Sequence, residues 1–155
     1  MLDYQTLDTI ADSYTPLLAL LCLGFLAKSA YQKDFSNVKV QGLFIIYALV
    51  VSYGIMVWDN QFNVWPALGL DYSTHTAVAF SLVASLCLMF KPFVKWYMTS
   101  LFSSLLMYGA LMKYQNYHSY TDMLSTALVV AIFLAPFAVR IIKNPLKPSS
   151  KMVVS

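Results

Sequence analysis

Charged residues in this chain are clustered, and between the clusters run five uncharged windows, at 13–27, 40–58, 72–90, 96–112 and 123–139. Among acids, bases and histidines only His75 interrupts them. A helix of roughly 20 apolar residues crosses about 30 Å of hydrocarbon. The windows fall short of that, and polar helix ends and snorkelling lysines make up the difference. The pattern predicts an all-α integral membrane protein, a bundle of five transmembrane helices in one membrane domain over residues 1–155. The spans run about 10–29, 40–58, 73–90, 95–112 and 122–142, followed by a tail at 143–155 with Pro145 and Pro148. Pro16 falls near the start of the first span, where early amides lack helical partners anyway, and Pro136 is expected to kink the fifth. Ser29 to Lys39 reads as one loop, Asp59 to Asp71 as the longest loop of the opposite face, and Lys91 to Lys95 as a hairpin turn. No internal repeat is evident, and polar stretches of about ten residues are too short to bury a soluble core.

Composition agrees with a bilayer solvent: 59% of residues are hydrophobic, 11% are charged, and all seven acids are aspartates. Alternating the connections places Lys28, Lys33, Lys39, Lys91, Lys95, Arg140, Lys143, Lys147 and Lys151 on one side, with Lys113 alone among the ten bases on the other. By the positive-inside rule the N-terminus is outside and the C-terminus cytoplasmic. The net charge of +3 is spread along a membrane face, which argues against a nucleic-acid partner and for anionic lipid headgroups. Three aspartates precede the first uncharged window, unlike a secretory signal peptide. Short loops without targeting signals fit a bacterial inner membrane. Cys22 and Cys87 fall mid-span, and no CxxC or Cys/His spacing suggests a metal, a redox function or a cofactor.

The only two histidines, His75 and His118, fall at the same outer face, at the entrances of the third and fifth spans. If the His118 to Asp122 stretch is helical, the four-residue spacing puts the carboxylate on the imidazole's face, where it fixes the tautomer. Asp71 is near enough to help. Ser73-Thr74-His75-Thr76 resembles the PSGHT-type motif of the type 2 phosphatidic acid phosphatase superfamily, and His118 with Asp122 resembles its HxxxD motif. The separation of 43 residues, the order and the sidedness are similar as well, over residues 58–142.

That resemblance implies a lipid phosphatase or phosphotransferase working at the extracytoplasmic leaflet without a metal. His118, oriented by Asp122, would attack phosphorus, and His75 would protonate the leaving oxygen. The family's lysine and Arg-Pro motif is absent, and Met112 stands where the family has an arginine ahead of the nucleophile. Lys113, the amides of the Ser73 and Thr74 turn, and Asp71 are the remaining substrate-side residues. The His, His, Asp set also resembles the sphingomyelin synthase branch, which transfers a phosphodiester-linked headgroup.

Simpler roles exist for the same residues. Ser73 and Asp122 suit helix N-caps, Lys113 a snorkelling lysine, and Asp59 and Asp71 loop solvation. Trp58, Trp65, Tyr72, Tyr114, Tyr117 and Tyr120 suit an interfacial aromatic belt, or a cation–π surface for a choline-like headgroup. The glycines form no GxxxG pair, so they make no case for a dimer, and the oligomeric state is not read from the sequence. Two other functions fit the chain: a non-catalytic membrane subunit or pseudoenzyme of the same fold, and a bis-histidine haem protein with both imidazoles turned inward.

Overall fold

A computed structural model describes residues 3–89 and 95–144; most of the expected hairpin turn and the tail from Pro145 lie outside them. The described chain is helical, with α1 Tyr4–Tyr31, α2 Phe35–Phe62, α3 Val64–Ala67, α4 Thr74–Met89, α5 Lys95–Tyr114 and α6 Tyr120–Lys143. Three of these, α1, α2 and α6, are long and apolar enough to cross a membrane. They mark the chain as a membrane protein. The fourth, α4, is apolar but only 16 residues long, and α5 interrupts its 20 residues with Thr99, Ser100, Ser103 and Ser104.

Helix boundaries depart from the charge-defined windows because backbone geometry, not bilayer depth, ends a helix. Helix α1 begins at Tyr4 rather than near residue 10, its first turn closed by Thr6 and Leu7 amides on the Asp3 carbonyl at 3.1 and 3.2 Å. Pro16 therefore sits in the helix interior, where it withholds an amide from the Asp12 carbonyl. Helix α2 runs past Trp58 to Phe62 and stops at Asn63, whose left-handed backbone (φ 50°) ends it; α3 begins at the next residue. Lys33 and Asn116 take similar conformations just after α1 and α5.

Helix α4 is the axis of the bundle and packs against α1, α2, α5 and α6. One flank, with Ala79, Leu82, Val83 and Leu86, meets Leu18 and Cys22 of α1 and Leu101, Tyr108 and Met112 of α5. The other, with Ala77 and Leu88, shares a cluster with Phe44 and Ala48 of α2 and Val130 and Leu134 of α6. Both cysteines are free and buried. Small residues let α2 approach: Ser52 Oγ donates to the Ala48 carbonyl at 2.9 Å and pairs with Ser81 Oγ at 2.9 Å.

Side chains also serve backbone carbonyls near a helix end and near a proline. Leu88 lies in the last turn of α4, and Gln41 Nε2 donates to its carbonyl at 3.2 Å. Helix α6 continues through Pro136, and the Tyr47 hydroxyl donates to the Phe133 carbonyl in the turn before it at 2.8 Å.

Candidate functional site

The candidate polar residues collect where α4 and α6 begin. Ser119 is the N-cap of α6, its extended backbone (φ −78°, ψ 162°) turning the chain into the helix. Its Oγ accepts from the Asp122 amide at 3.2 Å, and Asp122 Oδ2 accepts from the Ser119 amide at 2.8 Å and from Ser119 Oγ at 2.6 Å. This is a capping box with an aspartate in place of the usual glutamate. The other Asp122 oxygen, Oδ1, accepts from the Asp71 amide at 3.0 Å. The buried carboxylate thus ties the loop ahead of α4 to the start of α6.

His118 lies before the N-cap, outside the helix, so its spacing to Asp122 does not act as a helical repeat. The carboxylate facing its ring is that of Asp71, with Oδ2 3.1 Å from Nδ1. The two meet in close contact without the alignment of a hydrogen bond. The imidazole side chain is 12% exposed and the Asp71 side chain 69%, so the pair sits at the lip of the bundle. Between Asp122, the residue expected to orient His118, and the imidazole stands a two-step arrangement. Asp122 holds the Asp71 backbone, and the Asp71 side chain faces His118.

Ser73 is committed to structure: its amide donates to Thr126 Oγ1 at 3.1 Å, and its Oγ donates to Thr76 Oγ1 at 2.8 Å and accepts from the Thr76 amide at 3.3 Å. It caps α4, whose first residue is Thr74. His75 is exposed in the first turn of α4 and makes no hydrogen bond or ion pair with the described residues. Lys113 lies in the last turn of α5, partly buried and without an ion-pair partner among the described residues. Met112, at the arginine position of the resemblance, is buried in the core. These contacts join His118, Asp71, Asp122, Ser119, Ser73 and Thr126 into one cluster, with His75 one residue beyond Thr74 and Lys113 outside the hydrogen-bonded set.

Several residues enter this region that sequence reasoning passed over or read differently. Thr126 is four residues from Asp122 on one face of α6, a spacing that marks it as a partner of the same loop. Asp59 is buried rather than solvating a loop: its Oδ1 accepts from the Trp65 amide at 2.8 Å and so caps α3. The six aromatics assigned to the interfacial belt divide. Trp58, Tyr114, Tyr117 and Tyr120 are exposed, while Trp65 and Tyr72 are core residues, edge to face at 5.0 Å. Trp65 Nε1 donates to Ser125 Oγ at 3.1 Å, and the Tyr72 hydroxyl to the Ser52 carbonyl at 2.8 Å. Burial, with Asp59 adding its charge, pushes the Tyr72 phenol well above its usual range. The Tyr117 hydroxyl donates to Asp8 of α1, and that bond raises its pKa.

No three His, Cys, Asp or Glu side chains gather as a metal-ligand set among the described residues. The inward pair of imidazoles that a haem requires is not formed, since His75 is exposed and His118 faces Asp71 at the lip. The chain matches no protein-family profile, no characterised protein and no solved structure. The chemistry available to the cluster is that of an imidazole with a carboxylate oxygen 3.1 Å from Nδ1, which leaves Nε2 for a nucleophile or base.

Proposed function

We propose that the protein is a membrane lipid phosphatase or phosphotransferase, acting on a lipid phosphate, pyrophosphate or phosphodiester at the extracytoplasmic face. The observation that carries this reading is the His118–Asp71 pair, set at the mouth of a membrane bundle where α4 and α6 begin and braced by Asp122. The resemblance of the His75 and His118 segments to type 2 phosphatidic acid phosphatases supports the same chemistry. His118 Nε2 attacks phosphorus, the P–O bond to the leaving group breaks, and protonated His75 gives its proton to the departing oxygen. Water or an alcohol then attacks the phosphohistidine, the P–N bond breaks, and His75 takes up the incoming nucleophile's proton. In this reading the five helices α1, α2, α4, α5 and α6 all span, with the N-terminus outside, the C-terminus inside and the site on the outer leaflet of a bacterial inner membrane.

A second reading is a non-catalytic membrane subunit or pseudoenzyme. It is favoured by the occupied oxygens of Asp122 and by the buried Met112 where positive charge would serve a phosphate. The deciding measurement is release of phosphate or headgroup from lipid phosphates, pyrophosphates and phosphodiesters by purified protein, beside His118→Ala and His75→Ala. Release lost in both variants establishes the enzyme. No release from any substrate class by folded wild type establishes the subunit.

A further inference from the structure

Helices α5 and α6 touch at few points, and the seam between them lies open over α4. Two clefts succeed one another along it. The outer one, about 300 Å³, is floored by Thr76 and walled by Leu105, Gly109, Met123 and Ala127. The inner one, about 250 Å³, is floored by Val83 and Cys87 and walled by Phe102 and Leu134. From Thr76 to Leu88 the α4 floor is about 18 Å long at the helical rise, close to the depth of one leaflet of a hydrocarbon core of about 30 Å. No charged residue lines either cleft. Lys113 stands one turn beyond Gly109 on the same face of α5, so a positive charge marks the outer end of an otherwise apolar seam. Thr76, the outermost floor residue, immediately follows His75.

We propose that this seam is a binding site for one hydrocarbon chain of an anionic lipid from the outer leaflet, with the headgroup held at the mouth by Lys113. The headgroup part of the proposal rests on the phosphate-transfer reading, since it places the phosphate beside His75 and His118; the chain site rests on the seam alone. A chain in the seam meets protein on three sides, whereas a lipid on the convex faces of α1 or α2 meets it on one, and dispersion contacts accumulate accordingly. The charge of Lys113 selects an anionic headgroup over a zwitterionic one.

The test uses the full chain in phosphatidylcholine nanodiscs with a phosphatidate probe carrying a photoactivatable diazirine midway along one chain. Adducts are mapped by mass spectrometry. Labelling should concentrate on 105–109 and 123–127, about tenfold above the exposed Leu20 and Leu23 of α1 and Ile46 and Val50 of α2. Gly109→Leu and Ala127→Leu fill the outer cleft from opposite walls and should each remove that excess. Gly109→Ala, whose Cβ would rest 3.7 Å from Met123 Sδ, should keep it. Lys113→Ala should lower phosphatidate labelling to the level of a phosphatidylcholine probe. Even labelling over all lipid-facing helices, or labelling unchanged in both filling variants with unaltered thermal midpoints, overturns the proposal. Seam labelling that persists in His118→Ala, without phosphate release by wild type, keeps the chain site and removes the catalytic reading. Phosphate release without seam labelling does the reverse.

Discussion

At the scale of single residues, the two aspartates beside His118 have separable duties, and substitution distinguishes them. Asp71 meets the ring, so Asp71→Asn should leave the fold intact and, if the site transfers phosphate, lower turnover about 100-fold, the low end of a general acid–base contribution. Asp122 is a cap, so Asp122→Ala should cost about 1 to 2 kcal/mol of stability, read as a lowered unfolding midpoint in detergent, and should affect turnover mainly through stability. An Asp122→Asn variant of normal stability that lacks turnover would return the orienting role to Asp122. The sequence marks both histidines and both aspartates near the starts of the helices that become α4 and α6. The pairing was not legible, because a four-residue spacing implies contact only inside a helix, and Ser119 starts that helix one residue after His118. Trp65 and Tyr72 were misread for a related reason: composition marks an amphipathic ring as interfacial, whereas here their polar atoms find Ser125 and the Ser52 carbonyl inside the bundle.

At the scale of elements, the short helix α4 is the one every other long helix touches, and its face toward α2 is built from small residues. Ser81→Leu should force α2 and α4 apart and destabilise by about 1 to 3 kcal/mol, whereas Ser81→Ala, which gives up only the Ser52 pairing, should cost about 0.6 kcal/mol. Equilibrium unfolding in mixed micelles compares the two, and equal losses would mean that the hydroxyl pair, not close approach, governs this contact. The positions of the helices could be read from their uncharged windows. Their ends could not, since α1 continues through Gln5, Asp8 and Asp12, where polar side chains are no obstacle to a helix in water. The Asn63 stop at the end of α2 is likewise a backbone conformation that hydropathy does not register.

At the scale of the whole molecule, the lysine and arginine asymmetry carries a prediction about orientation. With the buried Cys22 and Cys87 replaced by alanine, a Gln61→Cys reporter in α2's last turn should react with a membrane-impermeant maleimide in intact cells, and a Lys33→Cys reporter only after permeabilisation. The opposite pattern would put the His118–Asp71 pair in the cytoplasm and end the extracytoplasmic reading. The sequence by itself determined the features that depend on solvent alone. Long uncharged runs need a hydrocarbon surround, and in that surround only helices satisfy their own backbone, so the class and the approximate positions of the helices were set locally. Which helix lies at the centre, which seam stays open, and which carboxylate meets His118 depend on contacts between residues far apart in the chain. In lipid every outward apolar face is equally well solvated, so hydropathy cannot rank them. Only the fit of small side chains and the matching of buried donors to acceptors decides how the helices come together.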